Sequence, residues 1–264
     1  MAFTDFAAYK TALVDQDEEA FGISGSAGVN GRLNDLRQIM TPTPPTPTAA
    51  EKLDITKPGA LNSRDRASDN FFLGARVGMA STAGTFILYD RLCQMGGLSG
   101  TSTAAQTVAL PTATRYDEKG ALIMVTIYAL VGTTATTIQA SYTDSTGTPN
   151  QKTKTVIFGG TNNREATRAI LLPLADDDLG AISVETIQLG ASTGTVGDFG
   201  VSLIKPIAMF YSGSSNHKCE LDFLSGAFLG MIEKVEPSAH LCLAFIPQTS
   251  TVVTGTGSLI FGSA

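Results

Sequence analysis

Ile138-Gln139-Ala140-Ser141-Tyr142-Thr143 alternates apolar and polar side chains, the two-residue period of a strand with one buried and one wetted face. Asp144-Ser145-Thr146-Gly147-Thr148 follows, offering an Asp to bind backbone amides and a Gly for the positive-φ position that closes a hairpin. The chain is therefore expected to return as a strand from Lys152 to Phe158. Upstream, both faces of Leu122 to Val131 are apolar, since Ile123, Val125, Ile127 and Ala129 oppose Leu122, Met124, Tyr128 and Leu130. Such a strand belongs in the middle of a sheet. Downstream, Phe199, Val201 and Leu203 again present an apolar comb between Gly200, Ser202 and Ile204.

Working outward, Phe71-Phe72-Leu73 and Val77 to Met79 lead through Ser81-Thr82-Ala83-Gly84 into Thr85 to Leu88, which reads as two strands joined by a Gly-containing turn. Asp90-Arg91-Leu92 with Gly96 to Thr101 reads as a polar loop. Further strands are expected at 106–110, 169–174, 182–189, 240–245 and 258–261, with a bulge near Val184 to Ile187 where the alternation slips phase. Many short strands between Gly, Pro, Asn and Asp turns define the expected class: mainly β, an antiparallel β-sandwich of jelly-roll type, over residues 67–264.

Residues 1–66 read differently. Phe3, Phe6, Ala7, Leu13 and Val14 fall near one helical face, Leu33, Leu36 and Met40 suggest a second short helix, and Gly22 to Gly31 between them is rich in Gly and Ser. Thr41 to Thr48 carries four prolines and favours extended polyproline geometry. Two short amphipathic helices cannot bury their apolar faces alone. The segment is expected to be an arm with Phe3, Phe6, Leu33 and Leu36 as partner contacts, docked on a neighbour or on its own β-domain, the alternative being a disordered tether.

Composition narrows the function classes. Charged residues make up 16% of the chain and the net charge is −6, with no basic run; a nucleic-acid surface, which needs a positive stripe, is not expected. Met1 to Lys10 lacks the basic and apolar regions of a secretory signal, and Ala121 to Val131 is too short for the roughly 20 residues of a helical membrane span, so a soluble protein made in a cytosol is expected. Cys93, Cys219 and Cys242 are far apart without metal-ligand spacing, as expected of buried thiols. Asp176-Asp177-Asp178 is the densest carboxylate cluster, but adjacent turn residues point apart and no spaced calcium loop follows, so a solvated turn is expected and no metal site.

His217 and His240 are the two histidines, and Gly22-Ile23-Ser24-Gly25-Ser26 is an incomplete nucleophile motif within the arm. With no nucleotide-binding glycine motif either, neither catalytic residues nor a cofactor are expected. Carboxylates from distant loops would leave a glycan depolymerase open. Arg164 and Arg168 with Glu165 are expected to form an exposed ion pair near a turn.

An ordered series of segments carries a family likeness. Ala83 to Leu92 with Gly96 to Thr101, the strand 121–131, Ala140 to Gly147, Phe158-Gly159-Gly160-Thr161-Asn162-Asn163-Arg164-Glu165, Leu171 to Leu174 and Phe199 to Pro206 together resemble a family of virion structural proteins of tailed bacteriophages. The likeness spans the middle half of the chain and brings no catalytic residue with it. It implies a particle component assembled in the host cytoplasm, preferentially a decoration or cement protein on the outer head surface. The implied partners are the major capsid protein and copies of itself, a trimer being favoured, with a neck, tail or tail-fibre part as the rival.

Overall fold

The computed structural model describes residues 16–39, 43–61, 70–116, 120–213, 218–222 and 234–263. In chain order the strands are β1 (Gln16–Gly28), β2 (Asn34–Asp35), β3 (Glu51–Lys52), β4 (Asn70–Met79), β5 (Gly84–Leu98), β6 (Gln106–Thr107), β7 (Leu122–Ala129), β8 (Ala135–Asp144) and β9 (Gln151–Lys152). They continue with β10 (Val156–Gly159), β11 (Ala169–Leu172), β12 (Ala181–Leu189), β13 (Asp198–Ser212), β14 (Lys218–Asp222), β15 (Lys234–Val235), β16 (Leu241–Pro247) and β17 (Thr251–Ser263). Every strand pair is antiparallel.

Three sheets form an antiparallel β-sandwich architecture around a shared centre. The central sheet runs β11-β7-β13-β5-β16-β2, with β3 on β5; a second runs β10-β8-β12-β6, with β9 on β8; the third runs β1-β17-β4-β14, with β15 on β4. Ile123, Val125, Ile127, Phe199, Val201 and Leu203 of the central sheet pack against Ile138, Ala140, Tyr142, Phe158 and Ile187 of the second. Further along the same long strands, Phe86, Leu88, Phe210 and Phe245 pack against Phe72, Val77, Leu259 and Phe261 of the third. Phe86 stacks on Phe210 at 5.3 Å between ring centroids and meets Phe245 at 4.5 Å, spacings at which aromatic pairs attract beyond simple area burial.

One-residue slips let β5 and β13 serve both cores. Leu203 and Ile204 face Cys93 and Arg91, which leaves Leu92 extra on β5; Pro206 and Ala208 face Tyr89 and Leu88, which leaves Ile207 extra on β13. Such bulges bend and twist a strand. The central sheet in fact curls until its edges meet: Asn34 of β2 bridges Arg168, the Asp35 amide donates to the Thr167 carbonyl at 2.8 Å, and the Ala169 amide donates to the Leu33 carbonyl at 3.0 Å.

Several expectations change. Asp90 to Leu98 is not a polar loop but the second half of β5, because its polar side chains find partners on both faces of the sheet. Within the stretch read as an arm, Gln16–Gly28 is a strand bonded along β17, and Phe21 and Ile23 supply its buried positions. The helix expected around Leu33 to Met40 is the strand β2 followed by a single 3-10 turn, Leu36–Ile39. The helix expected near Phe3 to Val14 lies outside the described residues.

Candidate functional site

The inner face of the closed sheet holds the densest polar cluster. β2 brings Asp35 across the seam to β5 and β7, where its carboxylate pairs with Arg91 and accepts hydrogen bonds from the Tyr89 hydroxyl at 2.8 Å, Thr126 Oγ1 at 3.2 Å and the Arg37 amide at 3.1 Å. Arg91 also donates to Ser202 Oγ at 3.2 Å and to Tyr89 Oη at 2.9 Å. Both charged side chains are fully buried. Burial alone would raise the Asp35 pKa, but Arg91, the Tyr89 hydroxyl and Arg37 together hold it below the ordinary carboxylate value. Gln94 extends the cluster outward, donating to Glu51 Oε1 at 2.9 Å, and Glu51 pairs with Lys57 at 3.1 Å.

A second cluster sits on the opposite face of β5, between Leu88 of one sandwich core and Leu92 of the other. Arg115 clamps Asp90 with two bonds of 2.7 Å and donates to the Leu53 carbonyl at 2.7 Å, while the His240 amide donates to Asp90 at 2.8 Å. His240 Nδ1 lies 2.9 Å from the Asp54 carbonyl and so carries the proton. Burial, reinforced by Arg37, Arg91 and Arg115, pushes the His240 pKa down to about 3. The imidazole is neutral at ordinary pH.

Above the Asp35 layer, the closed sheet opens into an apolar concavity of about 330 Å³ lined by Leu33, Ile87, Tyr89, Met124, Leu171 and Met209 among others. Among the described residues no charged side chain lines it.

The residues singled out from sequence are dispersed. Leu36 is fully buried in the core beneath the third sheet, and Leu33 is half-buried at the concavity; Phe3 and Phe6 lie outside the described residues. Asp176 pairs with Lys154, whereas Asp178 accepts from the Tyr142 hydroxyl, so the carboxylates point to different partners; no cluster of metal-ligating side chains occurs among the described residues. Cys93 and Cys242 are buried and unpaired, and burial raises both thiols to about 12, which makes them poor nucleophiles. His217 falls outside the described residues. The Arg168–Glu165 pair exists at 3.3 Å, but the Arg168 side chain is 1% exposed, because it stands at the closure seam. The Asp35–Arg91 and Asp90–Arg115 clusters had no local signature: their members are 56 and 25 residues apart and meet only in the folded chain.

No protein-family model and no curated protein matches the chain. Among solved structures it aligns with a chain of infectious bursal disease virus, Gt strain, at 9% identity, covering 94% of this chain and 81% of that one with a TM-score of 0.21. A VP2 subviral particle of the same virus gives the same identity, coverages and TM-score. Its derived T=1 particles give 9% identity, coverages of 94% and 77% and a TM-score of 0.22. Superposition at this level carries no functional weight.

Proposed function

We propose that the chain is a non-enzymatic structural component of a virus particle and, within that class, a decoration or cement protein on the outside of a tailed-phage head. In this role it bridges major-capsid subunits as a homo-oligomer, a trimer being the form that suits local three-fold positions of an icosahedral shell. The observation that carries the reading is how the two buried charge clusters are used. Asp35 and Arg91 fasten the curled sheet to itself, and Asp90, Arg115 and His240 fill the join between two cores. The Asp35 carboxyl is held below its ordinary value and burial pushes His240 down to about 3, so neither exchanges a proton near neutral pH, a property of struts rather than of an acid–base pair. The sequence likeness to phage virion proteins supplies the particle context, and its segments fall mainly in the central and second sheets.

Imaging of intact particles tests the assignment. Density for the chain on the outer head surface, with heads lacking it bursting at lower temperature and still binding receptor, is the expected result. Density confined to the portal vertex or the tail would replace the cement role by the neck or tail one.

A further inference from the structure

Polar groups that the fold leaves unused converge on a cleft beside β10 and β11. β10 is the terminal strand of the second sheet and β11 that of the central sheet. The Lys154 amide donates to the Pro173 carbonyl at 2.8 Å, which ties the two edges together at one end. The cleft has a volume of about 500 Å³, and Arg32, from the turn between β1 and β2, forms part of its wall. That turn is fixed by its backbone: Gly31 stands at φ +67, its amide donates to the Pro247 carbonyl at 2.9 Å, and the Arg32 amide donates to the Val29 carbonyl at 3.0 Å. Arg32 is therefore placed without any partner for its guanidinium.

Arg168, just before β11, lines the same cleft, and its charge is only partly compensated. Nη2 reaches Glu165 at 3.3 Å and Nη1 the Leu33 carbonyl at 3.4 Å, both long for charge-assisted bonds, and the buried Nε has no partner among the described residues. The Glu165 oxygen involved is shared with the Arg164 amide at 3.3 Å. Burial lowers the Arg168 pKa and the charge of Arg32 lowers it further, against the opposing pull of Glu165. Among the described residues Arg32 has no side-chain partner, and no carboxylate lines the cleft. Two arginines against one glutamate leave a single positive charge, in a chain whose net charge is −6. The remaining wall is mixed. The Thr155 and Asn163 side chains have no hydrogen-bond partner among the described residues, while Ile170 and the 62% exposed Ile157 supply apolar surface.

We propose that this cleft binds one carboxylate set beside hydroxyl groups, the chemistry of a uronic-acid sugar unit, with Arg32 as the principal anion contact. Charge argues for a single carboxylate. It neutralises the surplus of one and relieves the repulsion between Arg32 and Arg168, whereas a dianion such as phosphate would overshoot. A free guanidinium takes a carboxylate through two parallel N–H···O bonds. The neighbouring hydroxyls are argued from Asn163 and Thr155, whose uncommitted groups can each donate and accept. Ile157 offers the C–H face of a sugar ring an apolar surface. The volume falls within the range of small-molecule sites, which combine apolar walls with a few convergent polar groups. The site is independent of the virion assignment.

The test titrates the isotope-labelled full-length chain with D-glucuronate and follows backbone amide signals. Saturable shifts at Gly31, Arg32 and Asn163 are expected, with none from D-glucose, which lacks the carboxylate. Arg32→Ala replaces an exposed side chain, so it should keep the wild-type melting curve while weakening glucuronate binding about tenfold. Asn163→Ala should weaken glucuronate binding and leave that of acetate unchanged. Absence of saturable shifts, equal binding of glucose, or unchanged affinity in Arg32→Ala would overturn the site. Acetate or sulfate binding as tightly as glucuronate would overturn the sugar assignment, since a bare anion would then suffice.

Discussion

Arg91 is held by four polar side chains inside a closed sheet, and its value to the fold lies in what would remain if it were removed. Arg91→Met leaves Asp35 buried without its counter-charge, a change expected to cost about 3–5 kcal/mol. Replacing both partners, Asp35→Leu with Arg91→Met, should recover much of that loss because no unpaired charge remains. Urea unfolding of the three proteins tests this, and a single variant as stable as the wild type would show that the pair does not constrain the seam. His240 makes a separate prediction. Its pKa is depressed from 6.5 to about 3 in the fold, so below pH 6.5 the unfolded chain takes up a proton that the folded chain refuses. Stability should be unaffected by this group above that pH and fall by about 1.4 kcal/mol per pH unit below it, until the folded pKa is reached. Asp35, held below its ordinary 3.8, adds its own loss only nearer that value. His240→Asn should flatten the slope between the two His240 values; an unchanged slope in urea titrations would assign the acid sensitivity elsewhere.

At the scale of elements, β7, β8 and β13 were legible because each follows a period that burial enforces. Ile123, Val125, Ile127, Ile138, Tyr142, Phe199, Val201 and Leu203 are all completely buried, and the slip expected near Val184 is the register shift between Val184 and Thr186. The turn at Asp144 takes the amides of Thr146 and Thr148 on one carboxylate oxygen, with Gly147 at φ +85. Only the first half of β5 was legible, as the strand expected at Thr85 to Leu88; Asp90 and Arg91 read as part of a polar loop until the folded sheet supplies their partners. β1 was hidden for another reason: its Gly and Ser residues have low strand propensity, and its order comes from β17. β13 and β1 predict opposite outcomes for one substitution. An added Cβ at Gly200 in β13 would lie 2.2 Å from the Met95 carbonyl oxygen and 2.6 Å from the Tyr128 ring, whereas at Gly22 in β1 nothing lies within 4 Å. Gly200→Ala should therefore destabilise by about 1–3 kcal/mol, and Gly22→Ala should be neutral or stabilising by up to about 1 kcal/mol. Denaturation midpoints decide between them, and a stabilised Gly200→Ala would contradict the close approach.

For the whole molecule, the consequential feature is that β5 and β13 each belong to two cores. A domain boundary needs a place where few contacts cross, yet fifteen residues of β5 and fifteen of β13 run from one sandwich into the other. The Asp90 cluster occupies the join on the same face. Loss of packing in the second sheet must then be felt in the third. Phe158 is fully buried and its ring lies 4.8 Å from that of Phe199; Phe158→Ala should cost about 3–5 kcal/mol through lost transfer energy and the cavity left behind. Because β5 and β13 transmit the loss, hydrogen exchange by global opening should speed up equally in β8 and in β4 and β17 of the far sandwich. Calorimetry should show one transition moved to lower temperature. If β4 and β17 kept their wild-type protection while β8 lost it, the two sandwiches would be separate folding units, and the shared strands would be a link between domains rather than a common core.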